Sequence, residues 1–85
     1  MKGLTVTIQG FGNVGASAAR HFHNAGAKVV AVSTGQGALY EESGLDIPAL
    51  LSLRRRYGDD VVLRPGHGNA VPREALIAIP TDVFC

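Results

Sequence analysis

The stretch Leu4-Thr5-Val6-Thr7-Ile8-Gln9-Gly10-Phe11-Gly12-Asn13-Val14-Gly15 decides the fold of this chain. Its first six residues alternate between apolar and polar side chains, which predicts a β-strand over residues 4–9. The next six match the pattern Gly-x-Gly-x-x-Gly, and a run rich in small residues at helical spacing follows them. A strand, this glycine pattern and a helix, in that order, are the context in which the pattern indicates a dinucleotide-binding turn.

Each glycine of the pattern has its own physical role. Gly10 permits the tight turn from strand to helix, Gly12 lets a pyrophosphate approach the backbone, and Gly15 lets the helix pack closely on the strand. Free N–H groups and the helix dipole favour an anion at this helix N-terminus. We therefore predict that a dinucleotide contacts the turn through Gly10, Phe11, Gly12, Asn13, Val14 and Gly15. The alternative is a glycine-rich turn that binds nothing.

Helical and extended patterns continue after the turn. An apolar stripe at helical spacing predicts a first helix over residues 13–25, formed by Val14, Ala18, Phe22 and Ala25. Gly26 is a suitable residue to end that helix. The continuous run Val29-Val30-Ala31-Val32 predicts a second strand over residues 27–33, in a parallel sheet covered on both faces.

The second half of the chain completes half of a dinucleotide-binding fold. We predict a loop over residues 34–45 and then a helix that begins with the N-cap Asp46 and Pro48 and runs to Tyr57. A short strand over 61–63 and turns over 64–72 should follow. The last predicted elements are a short helix within 72–79 and a strand from Asp82. The 85 residues are too few for a six-stranded fold. The fold class predicted is therefore α/β, a partial Rossmann-type doubly wound parallel sheet with one βαβαβ half in three layers.

Composition excludes several classes of partner. The net charge of +1 implies no nucleic acid or other polyanion, and the run Arg54-Arg55-Arg56 is interpreted as a solvated helix end. The single cysteine excludes an internal disulfide, and no Cys/His cluster has the spacing of a zinc site, so we name no metal ligand. No apolar run is long enough for a membrane span, and no segment is typical of a signal peptide, so a cytoplasmic location is expected.

Four segments carry a family resemblance: residues 2–15, 25–33, 44–51 and 81–84. The first, with its Ile-Gln-Gly-Phe-Gly-Asn-Val-Gly core, resembles the start of the nucleotide-binding domain of the glutamate dehydrogenases. Their superfamily also contains the leucine, phenylalanine and valine dehydrogenases. The resemblance covers nearly the whole chain, and it implies that NAD or NADP is the cofactor.

The end of the second strand is where such folds contact the adenosine ribose, which adds Ser33 and Thr34 to the predicted cofactor-binding residues. The resembled family often has aspartate where this chain has Thr34. A hydroxyl can donate to a 2′-phosphate, so the change weakens the case for strict NAD preference and permits NADP. Two alternatives stay open: Thr34 is an ordinary turn residue, or Glu41 or Glu42 supplies the acid.

The resemblance implies an enzyme that oxidatively deaminates an amino acid to a 2-oxo acid and ammonia. In that family the catalytic lysine and aspartate belong to a separate substrate domain, which we expect to be absent from residues 1–85. We therefore name no catalytic residue and expect this chain alone to be inactive. The alternative is a stand-alone, non-catalytic module that binds a nucleotide or self-associates through an uncovered sheet edge.

Overall fold

The computed structural model describes residues 3–63 and 66–85, which form one sheet flanked by helices. The elements are β1 (Thr5–Ile8), α1 (Asn13–Asn24), β2 (Lys28–Thr34), β3 (Gly37–Tyr40), α2 (Ile47–Tyr57), a first 3₁₀ helix (Gly58–Leu63), β4 (Asn69–Val71), a second 3₁₀ helix (Arg73–Ala78) and β5 (Val83–Phe84). Across those described ranges, no helix has the length and apolar character needed to cross a membrane.

The sheet has the strand order β4-β3-β2-β1-β5. β1 pairs in parallel with β2 on one side and with β5 on the other, which confirms the predicted alternation of parallel strands and helices. The chain moves from β1 to β2 in one direction and later reaches β5 in the other. The carboxyl end of β1 is therefore a topological switch point, the place where open α/β sheets bind ligands.

Two strand pairings in the sheet are antiparallel because β3 runs opposite to the other four strands, and here the prediction was wrong. Residues 34–45 were expected to form a loop, but Gly35 and Gln36 make a two-residue turn and β3 returns beside β2, with Thr34 opposite Gly37. β4 then pairs antiparallel with β3 inside the segment predicted as turns, whose first two residues lie outside the described part. The sheet is therefore mixed rather than wholly parallel, because a hairpin follows the second strand.

Helices cover the two faces of the sheet unequally. α1, α2 and the first 3₁₀ helix pack on one face around the larger hydrophobic core, which includes Ile8, Val32, Leu39 and Leu50. The second 3₁₀ helix covers the other face through Leu76. A helical layer, the sheet and a smaller helical layer give the three layers expected from the sequence.

The buried face of α1 differs from the predicted stripe. Ala16 and Ala19 are buried and Phe22 is half-buried, whereas Val14 is 85% exposed and Ala25 is exposed. Small residues face the sheet because the helix approaches it closely at Gly15. Val14 consequently lies in solvent at the helix start.

The segment from Asp46 to Leu63 was predicted correctly at its start and wrongly at its end. Asp46 accepts a hydrogen bond from the Ala49 N–H at 3.2 Å, which confirms the N-cap, and α2 ends at Tyr57 as predicted. Residues 61–63 form part of a 3₁₀ helix rather than a strand. Val61 and Val62 are both buried, because this turn folds back over the sheet and covers the core beside α2.

Candidate functional site

The glycine turn between β1 and α1 has the geometry that its sequence predicts. Gly10 has a φ of +85°, a conformation that side chains rarely adopt. A Cβ on Gly15 would collide with the Gly10 carbonyl oxygen and lie 2.9 Å from its carbonyl carbon. A Cβ on Gly12, by contrast, would meet no protein atom within 4 Å. Two glycines are therefore required by the fold itself, and the third faces open space.

Ser33, at the end of β2, fastens the turn to the sheet. Its hydroxyl oxygen accepts a hydrogen bond from the Gly10 N–H at 3.1 Å, and its carbonyl oxygen accepts from the Phe11 N–H. Ser33 is 5% exposed and Phe11 is 1% exposed, so the phenylalanine ring belongs to the core. The N–H and carbonyl of Phe11 are both engaged by protein groups, so Phe11 holds the turn in place, whereas Ser33 also lines a cleft.

The N-terminus of α1 lies beside the open space in front of Gly12. Gly12 is the N-cap residue in an extended conformation, with φ −91° and ψ −154°. Within the described residues, no side chain caps this helix and its first turn contains no acid. Asn13 and Val14 are exposed there. The unsatisfied N–H groups and the positive end of the dipole together favour an anion at this point.

Arg54 is a site residue that sequence reasoning missed. Its Nε donates to the Phe11 carbonyl oxygen at 3.1 Å, and its Nη2 donates to Asn13 Oδ1 at 2.8 Å. The prediction of a solvated helix end holds for Arg55 and Arg56, which are exposed, but not for Arg54. Helical spacing contained the signal: Ile47 and Leu50 are buried, and Arg54 follows them on the same face of α2.

Thr34 lies at the predicted place, at the carboxyl end of β2, but its hydroxyl is already engaged. The side chain is 6% exposed; Oγ1 donates to the Asp59 carbonyl oxygen at 2.7 Å and accepts from the Gln36 N–H at 3.1 Å. Thr34 thus joins the β2–β3 turn to the first 3₁₀ helix. Glu41 and Glu42 are not brought to this edge, because β3 carries them back towards the amino end of β2, where the Glu41 N–H donates to Val30.

A cleft of about 240 Å³ lies at the carboxyl ends of the neighbouring strands β1 and β2. The residues that line it are Gln9, Gly10, Ser33, Thr34, Gly35 and Arg73. It thus joins the glycine turn to the end of β2 at the switch point of the sheet. Arg73, from the second 3₁₀ helix, is the one charged residue among the six.

Comparison with known proteins gives one consistent result. The family model of glutamate/leucine/phenylalanine/valine dehydrogenase matches residues 1–85. A mitochondrial glutamate dehydrogenase of Dictyostelium discoideum is 43% identical over 84 residues, which are 99% of this chain and 16% of the relative. An NADP-specific glutamate dehydrogenase of Synechocystis sp. is 37% identical over 87 residues, covering 94% of this chain and 20% of the relative. A catabolic NAD-specific glutamate dehydrogenase of Bacillus subtilis is 47% identical over 58 residues, or 68% of this chain and 14% of the relative.

The fold gives the same result. A crystal structure of the hetero-hexameric glutamate dehydrogenase of Thermus thermophilus, in its leucine-bound form, superposes with a TM-score of 0.81 and 34% identity. The match covers 98% of this chain and 18% of that one. The chain therefore spans a fifth or less of the length of these similar proteins. Because the family model matches it from end to end, the chain belongs to the glutamate, leucine, phenylalanine and valine dehydrogenase family.

Proposed function

We propose that this chain binds NAD or NADP as the nucleotide-binding part of a glutamate-dehydrogenase-like oxidoreductase. Residues 1–85 would form part of a Rossmann domain, and a substrate domain elsewhere would bind the amino acid. The bound coenzyme supplies the hydride acceptor for oxidative deamination. The residues of this chain bind and orient it, which is the usual division of labour between protein and cofactor.

One observation carries the proposal: the open space in front of Gly12, beside the uncapped N-terminus of α1. This space suits a pyrophosphate because a Cβ on Gly12 would meet no protein atom within 4 Å and because the N–H groups of the helix start can donate to an anion. Gly10, Gly12, Asn13 and Val14 border this space, and the first two are held in place by Ser33 and by the start of α1. The cleft towards Ser33 and Thr34 would take the adenosine ribose.

Gly12→Val tests this proposal without disturbing the fold. The φ of Gly12 is negative and its surroundings are empty, so a valine is tolerated by the protein but occupies the space that the pyrophosphate needs. In isothermal titration calorimetry with NAD and with NADP, the variant should bind roughly tenfold more weakly or worse. Ser52→Val, at an exposed position of α2, is the control. Equal affinity of parent and Gly12→Val would place the ligand elsewhere or show that no site exists.

We propose a cytoplasmic protein, although one similar protein is named as mitochondrial. We also propose self-association through the edge at β5, which pairs with β1 and leaves Phe84 47% exposed. Light scattering of the purified chain measures its molar mass in solution, and a monomer at all concentrations would contradict the proposed self-association.

A further inference from the structure

Arg73 is the one cation that lines the cleft at the carboxyl ends of β1 and β2, among the residues that the structure describes. It is exposed, and among the residues that the structure describes it has neither a hydrogen bond nor an ion pair. Arg54, by comparison, donates hydrogen bonds from Nε and Nη2 to the glycine turn. A guanidinium group that is free, positively charged and placed in a cleft is suited to phosphate, which it binds through two parallel hydrogen bonds.

The remaining cleft residues agree with an anionic ligand. No acidic residue is among the six described ones that line the cleft. The Ser33 hydroxyl accepts from the Gly10 N–H, which leaves its proton to donate into the cleft. Two acids lie outside this lining: Asp59, whose Oδ2 is 3.6 Å from a Cβ placed on Gly35, and Glu74, which lines a neighbouring depression together with Arg73. The cleft therefore offers a cation and a hydroxyl donor.

We propose that Arg73, with the Ser33 hydroxyl, binds the 2′-phosphate of an adenosine ribose and gives this chain a preference for NADP over NAD. The inference rests on the proposed function, because it is the pyrophosphate at Gly12 that brings the ribose to the end of β2. Arg73 thus takes the place of Thr34 as the residue that contacts the 2′ position, because the Thr34 hydroxyl is hydrogen-bonded to Asp59 and Gln36. Arg73 reaches the cleft from a segment about 40 positions after β2 in the sequence.

The test compares two pairs of ligands that differ only in the 2′-phosphate. Binding of NADP and NAD, and of adenosine 2′,5′-bisphosphate and 5′-AMP, is measured by calorimetry on the parent chain and on Arg73→Ala. The variant should bind NADP and the bisphosphate about 10- to 100-fold more weakly, the effect of losing a charged hydrogen bond, with NAD and 5′-AMP unchanged. Arg73→Lys should recover part of the lost affinity for NADP, because lysine restores the positive charge but cannot make the two parallel hydrogen bonds of a guanidinium group.

Arg55→Ala is the matched control, because it removes the same charge from an exposed position outside the cleft. If it weakens NADP as much as Arg73→Ala does, the effect is one of net charge and the proposal is overturned. Equal loss for NADP and NAD in Arg73→Ala, or no loss for NADP, also overturns it and leaves the proposed function intact. A parent chain that binds neither dinucleotide overturns both.

Discussion

Replacing Arg54 by alanine should loosen the glycine turn and lower the stability of the whole chain. Arg54 makes one partly buried hydrogen bond to the Phe11 carbonyl and one exposed hydrogen bond to Asn13 Oδ1. Hydrogen bonds that involve a charged group contribute about 1.5–3 kcal/mol, and an exposed one contributes less because water competes for it. We expect Arg54→Ala to lower the free energy of unfolding by about 1.5–2.5 kcal/mol. For a domain of this size, that loss corresponds to a fall in Tm of roughly 6–20 °C.

The measurement is thermal and urea unfolding followed by circular dichroism, with Arg55→Ala as the control. Arg55 is exposed on the same helix, so its truncation should change the free energy of unfolding by less than about 0.5 kcal/mol. Arg54→Lys keeps the charge but cannot make both hydrogen bonds, and its stability should fall between those of the parent and Arg54→Ala. An Arg54→Ala protein as stable as Arg55→Ala would refute the assignment of Arg54 to the turn.

Further predictions concern the same edge of the sheet. Gly15→Ala should destabilise the chain by about 1–3 kcal/mol, because its Cβ would collide with the Gly10 carbonyl; urea unfolding measures this, and an unchanged midpoint would contradict the close packing of α1 on β1. Thr34→Val keeps the shape but leaves the Asp59 carbonyl and the Gln36 N–H without their partner, so it should cost about 1–3 kcal/mol. Thr34→Ser retains the hydroxyl and should lose less than Thr34→Val; equal losses would show that the methyl group matters rather than the hydrogen bonds.

Local pattern was sufficient to predict the first third of the fold. The alternation before Gly10, the glycine spacing and the helix that follows are all determined by residues close in sequence. The same holds for α2, where Asp46 and Pro48 mark the start and Gly58 the end. These elements have start and stop signals that depend on backbone chemistry rather than on distant contacts.

The hairpin after β2 is hard to predict because Gly35, Gly37 and Gly44 give residues 34–45 the composition of a loop. The turn at Gly35 and Gln36 gives only a weak hairpin signal: Gly35 lacks the positive φ of the favoured two-residue turns, and β3 begins with Gly37 and Ala38, residue types that are depleted in strands. The stripe of α1 was misassigned for a different reason: Ala16 and Ala19 are buried because the helix lies close to the sheet, and alanine periodicity is weak in a helix made largely of small residues. Residues 61–63 were misassigned because β-branched residues suit strands, whereas burial against α2 decided the outcome.

The site divides into a half that the motif specifies and a half that it does not. The open space proposed for the pyrophosphate lies in front of Gly12, within the turn from Gly10 to Gly15 that the sequence motif specifies. The groups around the ribose cleft come from the end of β2 and from the second 3₁₀ helix, which only the tertiary fold brings together. The similar proteins fit this division, because an NADP-specific and an NAD-specific enzyme are both related to a chain with one glycine turn. On the role proposed for Arg73, substitution there should change coenzyme choice while the turn stays the same, which makes Arg73 the more informative position to exchange between relatives.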